Sequence, residues 1–360
     1  MKYLSLILSF LVISGCLKED PLNQSFVSFD PKFIDDGHIL SNPSAENIDS
    51  LGLIEIYKGV YNDENLWSLR SLLVFRNGRL VAESYLKNDE DITNRHLIWS
   101  CTKQVVGVLT GIAMEEGFIE SIDDPISKYL KEELTNHPDK ADITIQNLIT
   151  MQSGIDYSND GAGGQTDKML RQIPNNSVDF ILSRPMNATP GTTFHYNDGN
   201  PHLMSAIIQK AVGKPTDIWA GEMLFSKIEM TNYNWVRYKD GITLGGFGIE
   251  TTPRELAKIA LCVADSGNWK NQQIIDPNWI SGMTTPQVET DFDYSFGYYW
   301  WIDPARGIHF MWGHGGQFAF IVPAKNLVVV FSSIPNTQGD YEIRAEEILP
   351  VVDRIFDIAY

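Results

Sequence analysis

The chain has 360 residues, 43% hydrophobic and 21% charged, the proportions of an ordinary globular protein. Its formal net charge of −18 argues against a basic face for nucleic acid or anionic lipid and favours solubility. Length allows one large domain or two smaller ones.

The chain opens with Met1-Lys2 and an apolar run from Leu4 to Ile13, of signal-peptide rather than membrane-spanning length. The run closes on Ile13-Ser14-Gly15-Cys16, which resembles the lipobox of bacterial lipoproteins. That resemblance implies a signal peptide over 1–15, cleavage before Cys16 and lipidation of its thiol. The protein is then expected to be exported and held in the cell envelope, with the bilayer as a partner through Cys16. The following Lys18-Glu19-Asp20 resembles acidic signals that send some lipoproteins to the cell surface. A plain secretory peptide with an incidental cysteine is the competing reading. Residues 16–50, rich in Asn, Ser, Asp and Pro, read as a tether and a loosely packed lead-in.

Beyond that point, Ser71 to Arg76 and Arg79 to Leu86 flank Asn77-Gly78, a strong hairpin signal. Helical spacing follows over Lys103 to Glu116, with Gly117 as a stop, and over Ile143 to Met151. It recurs over Ser177 to Ser183, Pro201 to Val212 and Pro253 to Ala264. A second hairpin, Gln317 to Val322 and Leu327 to Ser332, turns on Pro323 to Asn326. A helix over Tyr341 to Ile358, interrupted by Pro350, is expected to cover the sheet. If both hairpins share one sheet, the helical middle is an insertion. The expectation is an α+β fold, an antiparallel sheet flanked by helices with a mainly helical lobe. One catalytic domain would fill 51–360, its sheet part over about 51–105 and 240–360 and its helical part over about 106–239.

Chemistry enters at Ser100-Cys101-Thr102-Lys103. Serine and lysine three apart on a helix share a face, so a hydroxyl and a base can meet there. Ser84-Tyr85-Leu86-Lys87 has the same spacing but closes a strand, where an offset of three points to opposite faces. A helix N-cap serine with a snorkelling lysine would look alike in sequence. Two distant segments complete the set: Pro190-Gly191-Thr192-Thr193-Phe194-His195-Tyr196-Asn197-Asp198, and Trp312-Gly313-His314-Gly315-Gly316-Gln317. Together with Ile143 to Leu148, Ser153-Gly154 and Gly245 to Lys258, they resemble the serine β-lactamase and penicillin-binding-protein superfamily, on its class C and esterase-like side. Tyr298-Tyr299-Trp300-Trp301 and His314 to Gln317 resemble the branch of 6-aminohexanoate-dimer hydrolases and related esterases.

The resemblance implies Ser100 as nucleophile and Lys103 with Tyr196 as the acid–base groups. It places the oxyanion on the N–H groups of Ser100 and Gln317, and a substrate pocket on Asp198, His314, Gly315, Gly316 and Trp301. Burial and the helix N-terminus should lower the Lys103 pKa. Two departures matter. Asp198 stands where β-lactamases usually carry Asn; beside Lys103 it would raise the lysine pKa and shift the base role towards a Tyr196 phenolate. His314-Gly315-Gly316 stands where a lysine and a hydroxyl grip the carboxylate of a β-lactam, so ester or amide hydrolysis is expected instead. The alternatives are a β-lactamase or D,D-peptidase, and a non-catalytic surface binding module on the same fold.

No cofactor or metal is expected. The histidines show no zinc spacing. The calcium-loop-like stretch from Asp156 to Asp167 has Gly163 at its eighth position and no helix leading into it. There is no Gly-x-Ser-x-Gly elbow. Cys101 and Cys262 read as buried hydrophobes, with a disulfide between them left open. The expected partner is a small-molecule or short-peptide ester or amide; oligomeric state is left open.

Overall fold

The computed structural model describes residues 28–159, 176–335 and 342–360. The expected signal peptide, Cys16, Tyr341 and most of the calcium-loop-like stretch lie outside the described residues.

Asn77 and Gly78 both adopt positive φ, 52° and 74°, the twist that matches two antiparallel strands through a two-residue turn. They join Leu69–Arg76 to Arg79–Tyr85. The second hairpin, Gln317–Val322 and Leu327–Ser333, lies directly beside the first: Leu327 pairs with Arg76 and Ser332 with Ser71. A nine-stranded sheet results. From one edge its order is Ile39–Leu40, Arg79–Tyr85, Leu69–Arg76, Leu327–Ser333, Gln317–Val322, Ile308–Gly313, Trp301–Asp303, Ser295–Phe296 and Val288–Glu289. The edge pair of Ile39–Leu40 with Arg79–Tyr85 is parallel, and the other pairs are antiparallel. The fold is α+β.

Every residue of Gln317–Val322 and Leu327–Ser333 is buried, which requires cover on both faces of the sheet. The Pro253–Ala264 helix packs on these strands. The Ser50–Asn62 helix packs with Ala345–Asp357, and its Tyr57 hydroxyl donates to the Leu72 carbonyl at 3.1 Å. The Cys101–Glu115 helix is buried from Cys101 through Ala113. Its close packing depends on Gly111, where an added Cβ would fall 2.1 Å from the Trp279 ring.

Several expectations change. The last helix runs unbroken over Ala345–Asp357 with Pro350 inside it. The amphipathic face of that helix, buried at Ile348, Leu349, Val351, Val352 and Ile355, outweighs one missing hydrogen bond. The helix expected over Ile143 to Met151 shrinks to Ile145–Ile149, started by a Thr144–Asn147 capping box. Tyr233–Trp235, Ile249–Thr251 and His96–Leu97 form a small sheet that no local pattern announced. From residue 28 onward the lead-in is tied down rather than loose. Buried Arg254 donates to Glu83 (2.6 and 2.9 Å), Asp36 (3.0 Å) and the Lys32 carbonyl (2.5 Å). Cys101 and Cys262 are both free.

Candidate active site

Trp99 holds a left-handed backbone, φ 48°, immediately before the helix that starts at Cys101. A bulky residue in that region is strained, and strain is tolerated where the surroundings enforce it. The turn delivers Ser100 to the helix N-terminus with its hydroxyl making no capping bond. Instead Lys103 Nζ donates to Ser100 Oγ at 2.8 Å. The lysine is fully buried, so it does not snorkel. Its other donors go to Asp198 Oδ1 and to the Gly246 carbonyl at 2.7 Å. The rival spacing does not assemble: Ser84 lies in the Arg79–Tyr85 strand and Lys87 beyond its end.

Tyr196 completes the cluster. Its hydroxyl lies beside Ser100 and Lys103, both of which act on its ionisation, and Lys103 Nζ lies 5.0 Å from its ring centre. Asp198 opens the Gly199–Val212 helix, where the positive end of the helix favours a carboxylate. Asn159 clasps it from the other side: the Asp198 N–H donates to Asn159 Oδ1 at 2.8 Å, and Asn159 Nδ2 to Asp198 Oδ1 at 3.2 Å.

Electrostatics settle the direction of the lysine shift. Burial pulls the Lys103 pKa down, but Asp198, with Tyr196, outweighs it and raises it above the ordinary value. The lowered pKa expected from burial and helix field alone is corrected. Tyr196 is raised too, because burial outweighs the attraction of Lys103. The resting site therefore holds an ammonium and a phenol, not the phenolate expected from the Asp198 departure.

The third segment forms the turn between Ile308–Gly313 and Gln317–Val322, with Gly315 and Gly316 at φ 74° and 87°. A Cβ on Gly313 would fall 2.2 Å from the Ile98 carbonyl, so glycine lets this strand close on the segment leading to Ser100. Gln317 is anchored by its side chain, which donates to the Ser333 carbonyl at 2.9 Å, while Cys101 Sγ lies 3.5 Å from the Gln317 carbonyl. His314 stacks edge-on against Trp99, with ring centres 5.2 Å apart. Trp301 is buried behind Tyr196 at 5.3 Å between ring centres, so it backs the site rather than opening onto solvent. Among the described residues no cluster able to hold a metal ion is present.

Sequence reasoning missed Asn159, Gly246 and Glu342, whose Oε2 lies 2.5 Å from His314 Nδ1. Gly246 was within reach as part of the Gly245 to Lys258 stretch. Asn159 lies in the calcium-loop-like stretch for which no metal role is expected, and nothing local marks Glu342.

Residues 70–352 match the family described as Beta-lactamase. The chain belongs to the β-lactamase family. This β-lactamase-family protein is 23% identical over 292 residues to the 6-aminohexanoate-dimer hydrolase of Paenarthrobacter ureafaciens, covering 74% of this chain and 73% of that one. It is 26% identical over 230 residues to a teichoic acid D-alanine hydrolase of Staphylococcus aureus, covering 58% of this chain and about half (54%) of that relative's length. In three dimensions it resembles a Bacillus anthracis protein assigned as a 6-aminohexanoate-dimer hydrolase. The TM-score is 0.71 at 22% identity, covering 93% of this chain and 89% of that one. At that identity the likeness is one of fold. Family and hydrolase relatives together make the protein a serine hydrolase.

Proposed function

We propose that the protein cleaves esters or amides through an acyl group carried on Ser100. One observation carries this reading: Lys103 Nζ lies 2.8 Å from Ser100 Oγ, while its two remaining directions are taken by Asp198 and the Gly246 carbonyl. Both of those partners only accept hydrogen bonds, so the third position of the lysine nitrogen is held towards the serine. Lys103 and Tyr196 then act as one coupled acid–base unit. Having lost one proton, the unit takes the proton of Ser100 as Oγ attacks the carbonyl carbon. Tyr196 returns that proton to the departing oxygen or nitrogen as its bond to the acyl carbon breaks. Water repeats the sequence on the acyl-enzyme, releasing the acid and restoring the serine. The N–H groups of Ser100 and Gln317 are assigned to the oxyanion; the Ser100 N–H donates to no backbone carbonyl among the described residues.

Relatives named for a 6-aminohexanoate dimer and for D-alanine on teichoic acid support small amide or ester substrates. Lipid anchoring through Cys16 and export to the envelope belong to the same proposal and are supported by the Ile13-Ser14-Gly15-Cys16 sequence. A fluorophosphonate is expected to label the wild type at Ser100 and to label neither Ser100→Ala nor Lys103→Ala. Short-chain nitrophenyl esters should be turned over at least ten times faster than nitrocefin. No labelling of the intact protein would defeat the reading, and preferential nitrocefin turnover would make it a β-lactamase.

A further inference from the structure

The turn that precedes Gln317 carries a carboxylate to which the mechanism assigns no step. Glu342 Oε2 lies 2.5 Å from His314 Nδ1 and accepts the Gly315 N–H at 3.2 Å. The hydrogen bond from His314 holds the Glu342 carboxyl below the ordinary glutamate range against the opposing effect of burial, with Arg344 a smaller contributor. Its place is built into the fold. The next residue, Ile343, is buried, and its Cβ would stand 3.0 Å from a Cβ added to Gly316. On the other side His314 rests on Trp99, the residue before the nucleophile. The Glu342 side chain keeps 28% of its surface exposed, so it is open to solvent.

Two features give this rim a sign. His314 occupies the position where β-lactam-reactive proteins resembling this chain carry a cation for a carboxylate, and here that position is already answered by an acid. Exposed Phe292 lies 5.3 Å from Trp301, which backs Tyr196, and 6.4 Å from Trp312 between ring centres, and is flanked in sequence by exposed Asp291 and Asp293. The lysine of the site is buried and matched by Asp198, so the cations left to act on Glu342 are His314, when protonated, and more weakly Arg344.

We infer that Glu342 sets the charge of the leaving group, favouring esters and amides whose departing part carries an ammonium over those whose departing part carries a carboxylate. The inference rests on the acyl-enzyme reading above and adds a substrate class to it. In the step concerned, the bond from the acyl carbon to the departing heteroatom breaks, Tyr196 supplies the proton, and the charged group of the departing part faces Glu342.

The test uses three acetyl thioesters that form the same acetyl-enzyme: acetylthiocholine, ethyl thioacetate and 3-(acetylthio)propionate. Deacylation is common to all three, so differences in kcat/KM report acylation alone. The wild type is expected to favour acetylthiocholine over the carboxylate thioester by about tenfold or more, as one charge near a protein surface can supply. In Glu342→Gln that ratio should fall to within about twofold, and in Glu342→Asp it should be largely kept. An unchanged ratio in Glu342→Gln, including a uniform loss on all three substrates, overturns the inference and makes Glu342 a support for the turn. Failure of the wild type both to turn over the thioesters and to be labelled at Ser100 removes the hydrolase reading, and this inference with it.

Discussion

A lysine with no exposed surface needs a counter-charge, and Asp198 supplies it to Lys103. An asparagine there would leave burial to dominate and the lysine pKa would fall. Burial, with a smaller push from the same carboxylate, raises Tyr196, so both members of the unit hold their protons further into the alkaline range. Activity should therefore rise with pH above neutrality as the pair loses one proton. In Asp198→Asn both shifts relax in the same direction, and the rising limb of the kcat/KM profile is expected to move down by about one pH unit or more. A profile that does not move would exclude Asp198 as the group that sets the pair's titration. At this scale Ser100, Lys103 and Tyr196 were legible because residue type and spacing carry their chemistry. Asn159 and Glu342 were not, because a side chain that orients another group across a fold leaves no local pattern.

At the scale of elements, glycines decide how closely the catalytic helix sits. Gly111 faces the Trp279 ring, whose Nε1 also donates to the Gly107 carbonyl at 3.0 Å. Gly111→Ala has no room to relax without moving the indole, and is expected to cost about 1–3 kcal/mol of stability. It should lower the melting temperature by several degrees, measured by differential scanning calorimetry. Gly78→Ala meets no atom within 4 Å, and only its φ of 74° is strained. It should therefore cost less, and equal losses at the two positions would refute the packing argument. The two long hairpins and the amphipathic helices were readable because alternation, helical period and turn residues are local signals. The pairing of His96–Leu97 with Ile249–Thr251 was not, since two- and three-residue strands take their identity from distant partners.

Across the whole molecule, three shielded histidines, His202 buried and His38 and His309 half-buried, make the fold acid-sensitive. Burial lowers His38, His202 and His309 to about 4 each, against 6.5 unperturbed. The unfolded chain binds protons at these sites first. Their contribution is thus fully present above about pH 6.5 and lost as pH falls towards 4, on the order of 3 kcal/mol for buried His202 and less for the half-buried pair, which solvent screens. The melting temperature should drop steeply over that window, and a flat profile there would contradict the neutral burial of these rings. His38 Nε2 donates to the Arg254 carbonyl, 2.9 Å away, so acid should loosen the lead-in around it. The sequence by itself determined the fold class and, through three motifs that resemble a known family, pointed to Ser100, Lys103 and Tyr196 as the candidate nucleophile and its partners, because periodicity and motifs are properties of the chain. Only the tertiary structure decided the charge state of Lys103, the burial of Trp301 behind Tyr196 and the carboxylate on His314. Those depend on which groups share a low-dielectric space, and that is set by packing between segments far apart in the chain.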